Sequence, residues 1–184
     1  LVARVDTVPE GLLAALRSLR LLARSPVLAR GDIERIRRTL HEWNRQTLVF
    51  EGFYFHSVDG HSYPADGNAE LLAVPDIEAL KRGEELMARP LISRFTQRPV
   101  LQMVVPVHGP DGLPVGGLAG TIVLSSFFER TTADWQARDA RFLLLDREGR
   151  LLAGGLDGNT AMLEEPDVSD APKTFAIIAA VRSA

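Results

Sequence analysis

The period of the apolar positions changes several times along the chain, and each change marks an element. From Pro9 to Arg24, Leu12, Leu16, Leu19 and Ala23 recur at helical spacing and share one face. Leu13, Leu21 and Leu22 widen that stripe beyond what one packing partner needs. Two readings fit: a helix with the fold on one side and a second subunit on the other, or a wholly buried helix. Ser25-Pro26 breaks the helix, because proline fits a first turn but not an interior. Asp32 then caps a second helix with Ile33, Ile36, Leu40 and Trp43 as its buried stripe, and Glu34, Arg35, Arg37 and Arg38 toward water.

Beyond this point the period shortens. Leu48 to Val58 is rich in aromatic and β-branched residues and predicts a strand. Asp59-Gly60 signals a two-residue hairpin, and His61 to Ala65 the returning strand. Gly67 to Ala88 reads as a loop followed by helical character through Ile77, Leu80, Glu84 and Met87, and Pro90 to Phe95 as short and extended. Pro99 to Val107 and Gly116 to Ser126 are nearly continuous apolar strands. The dense turn His108 to Pro114 between them makes an antiparallel hairpin and argues against a doubly wound dinucleotide fold. Arg141 to Ala153 repeats the strand-turn-strand theme of Phe53 to Tyr63, so a smaller module is expected to begin near Thr132 to Asp139. Gly154 to Asp170 is loop-like, and Pro172 to Val181 fits a final helix or a strand.

Composition narrows the classes. In 184 residues, 21 basic and 24 acidic side chains give a net charge of -3, which excludes a strongly basic nucleic-acid binder and gives no reason to expect a polybasic membrane-surface patch. With no cysteine, disulfides, zinc-thiolate sites and Cys nucleophiles are excluded. The longest apolar run, Phe175 to Val181, is far shorter than the roughly 20 residues of a membrane helix. The chain begins at Leu1, which reads as a segment of a longer protein.

The order of elements resembles the extracytoplasmic Cache sensor domain, the PAS-like module of bacterial transmembrane receptors, in its double form. The resemblance is carried by Leu22 to Val27 at the helix break and by Phe53 to Gly60, ending in Val-Asp-Gly. Arg89 to Ser93, Arg98 to Leu101, Val105 to Val107 through Asp111-Gly112, and Val115 to Ile122 continue it. It implies an α+β fold: a five-stranded antiparallel PAS-like sheet with a long N-terminal helix, followed by a smaller second module. The domain expectation is N-terminal helices in 1–46, a membrane-distal module in 47–131 and a smaller membrane-proximal module in 132–184. The resemblance further implies the ligand-sensing part of a histidine kinase, diguanylate cyclase or chemoreceptor, outside the cytoplasm and tied to the membrane by flanking helices, and not an enzyme. The alternative is a dimerisation or interaction module of the same fold without a small ligand.

No catalytic constellation stands out. Among the four histidines, His56 and His61 flank Asp59 but lack a third metal ligand, so no metal is expected, and no cofactor. Gly116-Gly117 and Gly154-Gly155 lack the context of a phosphate loop, and Ser125 and Ser126 that of a nucleophile elbow. The resemblance places a ligand between one sheet face and a lid at about Leu71 to Arg94. Tyr54, His56 and Thr121 have the strand parity to face that lid, Gln102 joins them, and Lys81, Arg82 and Arg94 are cations the lid could supply. Lys81 and Arg82 also fit a solvated helix face. The amino-acid-binding members carry an aromatic, an Arg, two adjacent aromatics and an Asp where this chain has Val74, Ala79, Lys81, Arg82 and Thr121. Losing the Asp that pairs with an ammonium and gaining cations shifts the expected ligand from a free amino acid to a small carboxylate. A weak homodimer through the N-terminal helix is the expected assembly.

Overall fold

The computed structural model describes residues 2–4, 7–30, 32–72, 74–87, 91–93, 96–127, 140–145, 151–154 and 176–181. In chain order the elements are β1 (Val2–Arg4), α1 (Thr7–Ala23), α2 (Pro26–Ala29), α3 (Ile33–Gln46), β2 (Gly52–Ser57), β3 (His61–Pro64) and β4 (Glu70–Leu71). Then come α4 (Val74–Lys81), β5 (Leu86–Met87), β6 (Leu91–Ile92), β7 (Pro99–His108), β8 (Pro114–Val123), β9 (Ala140–Leu145), β10 (Leu151–Gly154) and β11 (Ala176–Val181). The larger sheet has the order β4-β3-β2-β8-β7-β5, with β6 also on β7, and the smaller the order β1-β11-β9-β10. The expected α+β class with an antiparallel sheet is found. The larger sheet has seven strands where five were expected, because β4 and β5 add two-residue edges.

Two compact units divide the chain: residues 15–89 with 101–122, and residues 1–14 and 90–100 with 123–184. This differs from the linear partition at residues 46 and 131, because strand pairing joins segments remote in sequence. Val2 to Arg4 pair with Ala180 to Ile178.

In the first unit β2 sits at the centre, between β3 and β8. Its alternation sorts the layers. Phe53 and Phe55 turn to one face, both almost fully buried, and Tyr54 and His56 turn to the other. Phe53 meets Trp43 of α3 edge-on at 5.9 Å and Phe50 at 4.9 Å. Leu19 and Phe50 close over Gly120, where any Cβ would lie 3.0 Å or less from both. These contacts put the C-terminal parts of α1 and α3 on the Phe53 face. Asn44 of α3 accepts the Phe53 N–H at 2.9 Å, which ties the helix end to the strand. Asp32 caps α3 by accepting from the Arg35 N–H, and Ser25 caps α2. Ile36 and Leu40 are buried as the α3 stripe requires. On α1, Leu19 and Ala23 are buried, but Leu13 and Leu21 stay 49% and 68% exposed, so the wholly buried reading does not hold.

Two local expectations are corrected. The β2–β3 hairpin has a three-residue loop, not two, since His56 pairs with Ser62 and the strands end at Ser57 and His61. Gly60 takes φ 98° there, as the last residue of such a loop requires. The lid helix does not run to Met87. Gly83, at φ 69°, donates to Leu80 O, and Glu84 N–H reaches Ala79 O, which is a Schellman stop. The chain then extends, and Leu86 and Met87 pair with Val104 and Met103.

In the other unit, Leu91 and Ile92 pair with Val100 and Pro99. Arg98 donates to the hydroxyls of Ser125 and Ser126, at 2.5 and 2.9 Å. The expected hairpin at Arg141 to Ala153 is present as β9 and β10, with Leu145 opposite Leu151. Its turn, Glu148-Gly149, lies outside the described residues. The open choice at Pro172 to Val181 resolves as strand β11, paired with β9.

Candidate functional site

The β2 face opposite the α1–α3 layer is the floor of a site. On β8, Gly117, Ala119 and Thr121 stand opposite His56, Tyr54 and Gly52, so these residues share that face. Above them lies α4. Leu80 packs with Val104 and Ala119, joined by Tyr54, Val58, Leu72 and Leu86. A Cβ on Gly117 would lie 2.6 Å from Leu80 and 2.7 Å from Val104, so this glycine lets the lid sit directly on the sheet. The hairpin tip anchors the lid from the other side, because Leu72 N–H donates to Gly60 O at 2.8 Å and Ile77 packs 3.0 Å from the Cβ position of Gly60.

Four of the seven candidate residues come together here. His56 is 5% exposed, and its ring lies 6.4 Å from that of Tyr54 in a stacked pair. Burial pushes the His56 pKa down to about 4, while a hydrogen bond with Gln102 works the other way. The imidazole is therefore neutral at pH 7. A neutral ring carries one N–H and one bare nitrogen. Its Nδ1 is buried and has no hydrogen-bond partner among the described residues. Thr121 is also buried, 5% exposed. Tyr54 is held protonated by burial, and then by the charges of Glu51 and Glu70, which raise its pKa. The phenol is thus a hydrogen-bond donor with two carboxylates in its surroundings.

Lys81 and Arg82 do not join them. Lys81 Nζ donates to Glu78 at 3.0 Å, and Arg82 makes a fork to Glu84 at 2.7 and 2.9 Å. All four side chains are about half exposed, so the pairs belong to the solvated face of the lid. Arg94 lies outside the described residues. Of the apolar roof, Leu72, Leu80 and Leu86, only Leu80 was singled out from sequence, as part of the lid's helical pattern. Leu72 and Leu86 lie outside α4, so its helical period could not mark them.

No protein-family model matches the sequence, and comparison with curated proteins gives no match. Solved structures do match. The ligand-binding domain of the Pseudomonas aeruginosa amino acid chemoreceptor PctC, in complex with GABA, aligns with a TM-score of 0.65 at 16% identity over 94% of this chain and 93% of that one. The ligand-binding domain of the Pseudomonas fluorescens chemoreceptor CtaA, in complex with L-serine, aligns at 0.63 and 14% identity over 95% and 89%. That of the P. aeruginosa amino acid chemoreceptor PctB, in complex with L-Gln, aligns at 0.60 and 20% identity; this chain spans 64% of it. The chain has the fold of these sensory domains, in agreement with the Cache-type, PAS-like resemblance of its sequence. No described helix is long and apolar enough to cross a membrane.

Proposed function

We propose that this chain is the extracytoplasmic ligand-sensing domain of a transmembrane signalling receptor, binding a small molecule between the larger sheet and the α4 lid. The observation that carries this reading is the orphaned Nδ1 of His56 on the lid-facing side of the sheet. Leaving a buried polar atom unpaired costs about 1–3 kcal/mol, so such an atom persists where a ligand pairs it. The fold shared with chemoreceptor ligand-binding domains supports the same reading. Binding is a role that the imidazole, phenol, amide and hydroxyl of His56, Tyr54, Gln102 and Thr121 suit, since each offers hydrogen bonds on one face of the sheet.

The same geometry revises the ligand chemistry. The carboxylate expectation rested on Lys81 and Arg82, which are paired at the surface with Glu78 and Glu84, respectively. The floor offers an unpaired imidazole nitrogen, and Glu51 and Glu70 add negative charge near Tyr54. A ligand that brings N–H donors, an amine or an amide of amino-acid size, fits this surface better. Thermal-shift screening with amines, amides, carboxylates and nucleobases tests the reading. An N–H donor is expected to raise Tm, and His56→Phe, which keeps a ring in the core, to weaken its binding at least about tenfold. If no compound loses its shift in His56→Phe, the sheet–lid site is not a ligand site.

The exposure of Leu13 and Leu21 favours a homodimer through α1 in addition. In a receptor, paired helices convert ligand binding into relative helix motion, and membrane anchoring supplies the effective concentration that an isolated domain lacks. Leu13→Glu with Leu21→Glu is expected to abolish self-association in sedimentation measurements and to leave Tm nearly unchanged. A large fall in Tm would instead make the stripe internal core.

A further inference from the structure

We infer that the first unit carries a second binding site, a cleft for a small aliphatic monocarboxylate at the C-terminal end of α1, separate from the sheet–lid site. The cleft has a volume of about 420 Å³ and is lined by residues of α1, α2, the segment before β5, and β7. That size falls in the range of small-molecule sites. Its charges are not balanced. Arg20 in the last turn of α1 and Arg24 just past its end both line it. Arg20 is engaged by a two-pronged pair with Glu85, at 2.6 and 2.7 Å. Arg24 also lines the cleft, and its guanidinium has no ion-pair or hydrogen-bond partner among the described residues. His108, the last residue of β7, also lines the cleft.

The rest of the lining sets the ligand class. Ala23, Val105 and Pro106 present apolar surface beside the cation. One uncompensated guanidinium matches one negative charge, and its planar fork fits a carboxylate with two parallel hydrogen bonds. A short aliphatic tail removes the apolar wall from water, which an inorganic anion cannot do. Glu85 disfavours a second negative charge. The preferred occupant is therefore a short-chain monocarboxylate, and neither a dicarboxylate nor phosphate.

The site also has a mechanical position. Arg20 belongs to α1, and Glu85 to the strand entry that follows the lid helix and its Gly83 stop. An incoming carboxylate competes with Glu85 for Arg20 and so bears on the tie between lid and helix.

The test uses the whole chain and sodium propionate as the probe, with sodium phosphate and choline chloride at matched ionic strength as controls. Backbone amide NMR titration is expected to show saturable shifts at residues 20–29 and 105–108. Arg24→Gln is expected to weaken propionate at least about tenfold. His56→Phe is expected to leave it unchanged, which separates this cleft from the sheet–lid site whatever becomes of that site. The inference is overturned if propionate causes no saturable shifts, if Arg24→Gln binds it as the parent does, or if phosphate produces the same shifts at the same concentration.

Discussion

Replacing Phe53 with alanine is expected to cost about 4 kcal/mol of stability, the range found when a buried phenylalanine is truncated. Phe53 is 1% exposed and closes the space between the central strand and α3. It holds Trp43 edge-on and Phe50 at an angle, so its loss empties the centre of a three-ring cluster. The neighbours cannot collapse into the gap easily. Asn44 fixes the Phe53 backbone to α3, and the strand is hydrogen-bonded on both sides. Net stabilities of single domains are about 5–15 kcal/mol, so this one change removes much of the margin. For a chain of this size, the fall in Tm is roughly 8–16 °C. Urea unfolding of the variant should show a lower midpoint with an unchanged slope. A loss under about 1 kcal/mol would mean that the three rings do not form a closed core. Phe53→Leu, which keeps most of the volume, should cost less than half as much.

Acidification should destabilise the protein well before its carboxylates titrate. In the folded chain burial pushes the His56 pKa to about 4, against 6.5 for a free imidazole. Between those values the unfolded chain binds the extra proton and the folded chain does not, so stability rises with pH. The contribution is complete above pH 6.5 and is lost as pH falls toward 4. The separation corresponds to about 3 kcal/mol. Glu85 and Asp59 act lower on the scale. Arg20 and His61, respectively, hold them below their usual carboxylate values, so the stability they provide is lost only as pH falls below those values. Chemical denaturation at half-unit steps from pH 7.5 to 4 reads the slope directly. His56→Phe should flatten it between pH 6.5 and 4.5 and leave the steeper acid limb below. An identical slope in parent and variant would mean that His56 has the same pKa in the folded and unfolded chains, so that burial does not disfavour its charged form.

The two expectations concern opposite faces of one strand. Phe53 turns toward α3, and His56 toward the lid, and only side-chain alternation separates them. This is why the fold and the floor of the site were both legible. The run Phe53-Tyr54-Phe55-His56 sets ring against ring on one side and polar against polar on the other. Its parity with Ala119 and Thr121 followed once the strands were recognised. The α1 and α3 stripes were legible for the same reason, since Leu19, Ala23, Ile36 and Leu40 recur at helical spacing over several turns.

Short elements were not legible. β1, β4 and β5 have two or three residues each, too few for any period to show, and they exist because longer strands offer them unpaired edges. The end of α4 could have been read from Gly83, whose freedom at positive φ makes it a helix stop. The Glu78–Lys81 spacing likewise pointed to a local surface pair.

The sequence by itself determined the antiparallel α+β fold, the helix that leads it and the residues paving one sheet face, because periodicity and turn chemistry are local properties. Tertiary structure alone decided which charges are spent on neighbours, which imidazole nitrogen is left unpaired, and that residues near 20, 85 and 106 border one cleft. Those facts depend on distances between segments far apart in sequence. Burial gives each its energetic meaning, since a polar group is costly or useful only when water has been removed from it.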